Sequence, residues 1–407
     1  MQKAIVATLL LAFSQVGYAE RIKSNLDLTV GYSYGDSQLR PWTDAGDGKL
    51  LWDAGELDVD GFSELEIAIR DTVSVAVIGE LNSKQLGPLL GITEAFVQWR
   101  PVPRSPLRSE FRIGTFYPPI SLENRQQGWR NAHTRANSAI NTWIAEEVRV
   151  LGAEWTGSLR TNLWGGDHRL KFRLSAFYNN DSAGALLTWR GWSLHNRQST
   201  LGDELKLPVL PVFEPGAPFA AQASSSDPFV EVDDSPGVYA GVEWQLGRSL
   251  TVNALWYDNK ADPEVLEGGH YGWETVFKTV GVATTVTGID LVAQWMEGST
   301  AMGPIVGGAR AAENKFSSYF LLAAREFMNH HLAVRYDWFS VDDIDSMAVD
   351  PNQERGHGFT ASYRYKISPR TSLTIEHLQV ESQRDVLADT VRERSWHVGI
   401  RYAFISK

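Results

Sequence analysis

Apolar side chains recur at every second residue in this chain, and no other feature limits its folding so strongly. Leu26, Leu28, Val30, Tyr32 and Tyr34 alternate with Asp27, Thr29, Gly31 and Ser33. Successive side chains on a strand point to opposite faces, so a period of two predicts a strand with one apolar face. The pattern returns in fifteen further segments, from Leu65, Ile67, Ile69 and Val73, Val75, Val77 to Trp396, Val398, Ile400, Tyr402, Phe404. Two later sets are Trp273, Thr275, Phe277 and Phe316, Ser318, Phe320, Leu322, Ala324. Taking each apolar set as the outer face predicts a closed antiparallel barrel of about sixteen strands, all-β, crossing a membrane with apolar residues toward lipid.

The connectors support that count. Short links near Asp71, Gly247-Arg248 and Asn329-His330 alternate without a break with long ones, seven against eight, as barrels with short periplasmic turns and long outer loops require. Residues 185–192 also read as extended, but counting them reverses the order, so they belong to a long outer loop spanning 180–235. Fourteen or eighteen strands stay open, because each strand signal is weak by itself.

The compartment follows from the first residues. Lys3, an apolar run over residues 4–13 and Gly17-Tyr18-Ala19 before Glu20 make a secretory signal peptide over residues 1–19, leaving residues 20–407 as the barrel. About ten apolar residues cannot cross a hydrocarbon core that needs about twenty. Losing Lys3 takes the net charge from −11 to −12, which excludes the basic face of a nucleic-acid binder. The chain has no Cys, hence no disulfide, thiolate metal site or Cys nucleophile. The 15 Trp and 13 Tyr sit mostly near strand ends, as an interfacial aromatic girdle would. Together these place the chain in a Gram-negative outer membrane, among its lipids and lipopolysaccharide.

Two motifs add resemblances. The run from His397 through Gly399, Tyr402 and Phe404 resembles the C-terminal strand of outer-membrane barrel proteins, which implies recognition by the barrel assembly machinery. The stretch from Gly114 through Phe116, Pro119, Ser121, Leu122 and Glu123 resembles the opening of the third loop in the phosphate-selective porin family. That implies a trimer and a porin whose third loop constricts the pore. Residues 118–146 hold no Lys, so lysine-based anion selectivity does not carry over.

Folded inward, that loop brings Arg125, Arg130, His133, Arg135 and Glu123 to the narrowest passage. Inward parity adds Glu64, Glu66, Glu94, Arg112, Lys171 and Arg173, with Glu154, Glu243, Arg335, Arg364 and Arg401. Charges crowded into a narrow, poorly screened space select ions, so a transverse field across the lumen is expected. The function expected is passive diffusion of small hydrophilic solutes or ions. The alternatives are a surface adhesin or receptor built on residues 180–235, or a barrel hydrolase. A hydrolase lacks support, because no nucleophile elbow or triad motif is present and Glu146 and Glu147, on a strand, would face opposite ways. No catalytic residue, cofactor or metal is expected, and the acidic clusters at Asp227, Glu231, Asp233, Asp234 and at Asp342, Asp343, Asp345, Asp350 read as solvated loop charge.

Overall fold

A computed structural model describes residues 22–161, 165–345, 347, 349–387 and 389–405. The expected signal peptide lies outside the described residues.

Sixteen antiparallel strands close into one barrel. They are β1 Ile22–Asp36, β2 Gly55–Arg70, β3 Val73–Asn82, β4 Leu90–Trp99, β5 Leu107–Phe116, β6 Val150–Thr161, β7 His168–Tyr178 and β8 Gly237–Leu246. The second half comprises β9 Leu250–Asp258, β10 Glu274–Val286, β11 Ile289–Val306, β12 Ala309–Phe327, β13 His330–Asp343, β14 Glu354–Lys366, β15 Thr371–Arg384 and β16 Val391–Ile405. Every segment with period-two apolar spacing lies on or beside its own strand, and residues 185–192 add none. They contain a short helix, α2 (Ala185–Trp189), which follows α1 (Ala139–Glu147) of the third outer loop.

Closure joins β1 to β16, with Val30 opposite Ile400 and Gly31 opposite Gly399. The seam explains both glycines: a Cβ on Gly31 would sit 2.5 Å from the Val398 carbonyl, and one on Gly399 2.6 Å from the His397 ring. Inner turns are tight. Between β10 and β11, Thr287 and Gly288 both take positive φ, 50° and 77°, which matches the right-handed twist of the flanking strands. The outer connector expected as a loop over residues 297–314 is instead continued strand, with β11 and β12 running on to a Gly307-Gly308 turn.

The outer surface is an apolar belt. Leu26, Val30, Ile113, Leu174, Leu321, Val334 and Ile400 are exposed, with Tyr32, Trp99, Tyr178, Trp256 and Tyr402 among them. Water-exposed, this surface would cost roughly 25 cal/mol per Å² of apolar area, so it belongs in lipid.

Two strands reverse the expected parity. Thr275 and Phe277 on β10, with Trp273 just before the strand, and Phe316, Ser318, Phe320, Leu322 and Ala324 on β12 are buried in the lumen, while Val280 and Leu321 face lipid. These strands are apolar on both faces because α1 packs against their inner side. Trp143 of α1 meets Phe277 and Phe316 edge to face, with ring centroids 5.4 and 5.2 Å away. Burial against an infolded helix and burial against lipid leave the same mark on a sequence.

Candidate functional site

The third outer loop, residues 117–149, crosses the lumen. Its fold starts locally: Ser121 Oγ accepts hydrogen bonds from the backbone N–H of Glu123 (3.0 Å) and Asn124 (2.7 Å), turning the chain inward. Ser138 then caps α1 by accepting from Asn141 N–H. Every residue of α1 is buried.

A fully buried arginine of the wall anchors this loop. Arg335 on β13 donates to Glu123 (2.6 Å), to the carbonyls of Ala136 and Asn137 (both 2.7 Å) and to Asp337 (2.8 Å). Asp337 in turn accepts from Ala139 N–H at 3.1 Å, placing a carboxylate at the positive end of α1. Glu123 also accepts from Ser138 N–H (3.1 Å) and Asn141 (2.7 Å). It was expected at the edge of the passage, but at 1 % exposure it holds the loop's shape instead.

The remaining expected residues form ion pairs and hydrogen bonds between the loop and the wall, or within the wall. Arg130 pairs with Asp60 at 2.6 Å, and Arg135 reaches Asp60 at 3.1 Å and Asp58 beside it. Arg125 meets Glu243 at 2.8 Å, and the same carboxylate receives Lys171 at 3.0 Å and Arg173 at 3.6 Å. Arg112 lies 3.1 Å from Glu154 and over the Phe116 ring, while Glu94 accepts from Tyr117 N–H at 3.2 Å. His133 stacks on His331, ring nitrogens 3.3 Å apart. Glu64 accepts from Asn25 (2.8 Å), and Glu66 lies 3.6 Å from Lys23. Cations and carboxylates thus meet in local pairs around the lumen.

Asp58, Asp60 and Asp27 were missed by the sequence reading. Asp27 binds Arg401, and it lies between outward residues already read as alternating. Asp58 and Asp60 share the parity of Glu64 and Glu66, so extending the β2 pattern toward its outer end would have found them.

Above α1 the loop meets a second inserted segment. Residues 181–200 belong to the expected long outer loop, 180–235, and every one of them is buried. Glu146 receives both arms of Arg190, the first at 2.9 Å, and lies 2.9 Å from His195. Arg384 donates to the carbonyls of Thr188 (2.7 Å) and Trp189 (2.9 Å), and Lys49 of the first outer loop donates to that of Arg190 (2.9 Å). Glu147 accepts from the Trp143 indole (2.6 Å), Gly184 N–H (3.1 Å) and Leu186 N–H (3.0 Å).

Glu146 and Glu147 therefore end a helix rather than facing opposite ways on a strand, and their protonation diverges. Burial works against the Glu146 anion, but Arg190 and His195 overcome it and hold the carboxyl down at about 2. Glu147 has no cation within ion-pair distance among the described residues, and burial pushes it up to about 7. Asp181, where the segment begins, is likewise pushed by burial and by Glu231 to about 7. With Asp233 these two bring carboxylate oxygens within 4.8 Å of one another, and Glu231 accepts from Asn179 N–H at 2.7 Å.

A closed sixteen-stranded antiparallel barrel with an apolar belt, an aromatic girdle and infolded outer loops is a multi-pass outer-membrane β-barrel. No protein-family model and no curated protein sequence matches the chain. Solved structures do match. An anion-selective porin from Comamonas acidovorans is similar over 94 % of this chain and 99 % of its own, with 12 % identity and a TM-score of 0.54. The outer-membrane channel DcaP of Acinetobacter baumannii is similar over 94 % and 96 %, with 10 % identity and a TM-score of 0.54. A loop-deletion form of OmpT, an outer membrane protein of Vibrio cholerae, is similar over 94 % and 99 %, with 8 % identity and a TM-score of 0.51. At these identities the shared property is the fold, which is that of outer-membrane porins.

Proposed function

We propose that this barrel is a passive channel for small hydrophilic solutes or ions, assembled as a homotrimer in the outer membrane after recognition of its last strand by the barrel assembly machinery. The observation that carries the reading is a charged cluster where Arg125 of the third loop meets β7 and β8 of the wall. Arg125 (37 % exposed), Lys171 (23 %) and Arg173 (13 %) crowd one carboxylate, Glu243 (3 %), and keep contact with water. A structural ion pair needs one cation, so three around one anion leave local positive charge facing the lumen. Arg130 and Arg135 on Asp58 and Asp60 form a second, more balanced group farther around the wall.

Planar-bilayer recording tests this. The protein should open water-filled channels, and changing Arg125, Arg130 and Arg135 to Ala should shift the reversal potential in a salt gradient toward cation preference. Unchanged selectivity and conductance would remove the loop from the conduction path. Liposome swelling with sugars, amino acids and phosphate identifies the solute class.

A further inference from the structure

The inserted segment does not close the outer half of the lumen evenly. On one side Trp143 and Trp192 pack against Phe316 of β12, with ring centroids 5.2 and 6.2 Å away, and Trp192 also meets Phe339 of β13 at 6.4 Å. Close-packed apolar rings leave no path for water or ions there. On the other side residues 194–203 run along the inner wall. Leu194 N–H donates to the Lys49 carbonyl (3.0 Å), Gln198 N–H to Glu80 of β3 (2.8 Å) and Leu201 N–H to the Ile92 carbonyl of β4 (2.8 Å).

That stretch is buried yet polar. Both amide atoms of Asn196, Nε and Nη1 of Arg197, Oε1 of Gln198, the Thr200 hydroxyl and Oδ1 of Asp203 meet no hydrogen-bond partner among the described residues. Arg149 joins them: it donates to the Ser199 carbonyl, but its Nε and Nη2 have no partner among the described residues. Buried polar groups without protein partners are satisfied by water. Asn196 lines a cavity of about 20 Å³ with Ser33, Arg135, Glu376 and His397, and His397 Nε2 is likewise unpartnered among the described residues. Such a volume holds a water molecule. The stretch is also open at both ends. Gly202 and Glu204 are exposed on the outer loop. At the inner end Arg135 pairs with Asp58 and Asp60, and Arg401, bound to Asp27 on the same wall, is 33 % exposed.

We propose that residues 196–203 line a hydrated seam between the inserted segment and the wall, and that this seam is the passage through the outer half of the lumen. It carries water and small inorganic ions in single file and excludes sugars. The inference rests on the channel reading above and narrows its solute class. In so narrow a file, polar groups of the wall replace part of an ion's hydration shell. Asn196 offers an amide oxygen and an amide N–H, Gln198 an oxygen, Thr200 a hydroxyl and Arg149 spare N–H donors, so ions of either sign find partners. Asn196 and Thr200 are therefore specificity-determining positions, and the tightest of them is Asn196, where the cavity has room for little more than one water.

The chain has no Cys, so a single introduced thiol reports on its own position. Silver ion is the probe, because it binds a thiol and is as small as a conducted ion. Single-channel recording in nitrate electrolyte compares Asn196→Cys and Thr200→Cys on the seam with Ser318→Cys on the apolar side, where Ser318 is 1 % exposed and donates to the Trp338 carbonyl. Silver should lower the conductance of the two seam variants by roughly fivefold or more and leave Ser318→Cys and wild type unchanged. Native mass spectrometry should find a silver adduct on the seam variants alone, and heat-modifiable migration confirms that each variant is folded. Wild-type liposomes should conduct nitrate salts and yet not swell in isotonic arabinose. Folded, conducting seam variants that silver neither blocks nor labels, an equal block of Ser318→Cys, or swelling in arabinose overturns the seam. Wild type that opens no channel overturns the channel reading instead, and the passage with it. The arabinose comparison decides the matter even if a variant does not fold.

Discussion

At the residue scale, Arg335 is the side chain on which the third loop most depends. It is fully buried and its donors reach two carboxylates and two loop carbonyls. Removing one partner of a buried ion pair strands the other charge, at a cost of about 3–5 kcal/mol. Arg335→Met should lower the urea stability of the folded barrel in detergent by that order, and a loss under about 1 kcal/mol would show that the loop is anchored elsewhere. Glu243 offers a different readout, because it holds charge rather than shape. Glu243→Gln removes the only carboxylate paired with Arg125, Lys171 and Arg173 among the described residues. The reversal potential in a salt gradient should then move toward anion preference, opposite in sign to the change from losing the loop arginines.

At the element scale, α1 and residues 181–200 form one unit that titrates. Glu147 has a folded value of about 7 against an ordinary 4.5, so the docked state holds a proton that the undocked state releases. Its contribution is present in full below about 4.5 and is lost as the pH rises through 7. Asp181 adds the same sign between its ordinary 3.8 and about 7. His195 acts oppositely, since burial lowers its value below 6.5 and docking weakens as the pH falls through that range. Comparison with Glu147→Gln isolates the first effect. Between pH 5.5 and 7.5, hydrogen-exchange protection of residues 181–200, corrected for intrinsic rates, should fall in wild type relative to the variant. Parallel profiles would show that Glu147 does not report on docking.

At the scale of the whole molecule, the lumen is unevenly filled. Its periplasmic half is polar, with Lys171, Arg173, Arg364 and Arg401 partly exposed, whereas its outer half is packed with buried Trp42, Trp143, Trp189 and Trp192. Sixteen strands enclose more space than their own side chains fill, so the outer connectors supply the packing. Replacing residues 181–203 with a short flexible linker should leave the barrel folded and raise single-channel conductance. Unchanged conductance would place the narrowest point in the third loop alone.

The alternation of apolar residues determined a great deal by itself. Strand number, the order of short and long connectors, and the outward faces of β1, β7, β13 and β16 were all legible, because lipid on one side and water on the other impose a period of two. The same logic failed on β10 and β12, where α1 makes the inner face apolar as well. It suggested an extended run at residues 185–192 and gave no sign that residues 181–200 are buried, because that burial rests on partners as distant in sequence as Arg384 and Lys49. Basic and acidic residues of the lumen could be assigned a side by parity, but pairs such as Arg125 with Glu243 and Arg130 with Asp60 are 118 and 70 residues apart. Periodicity is a property of neighbours along the chain and reports which face a side chain takes. Which charge meets which, and which loop turns inward, is decided by contacts that form only once the barrel has closed.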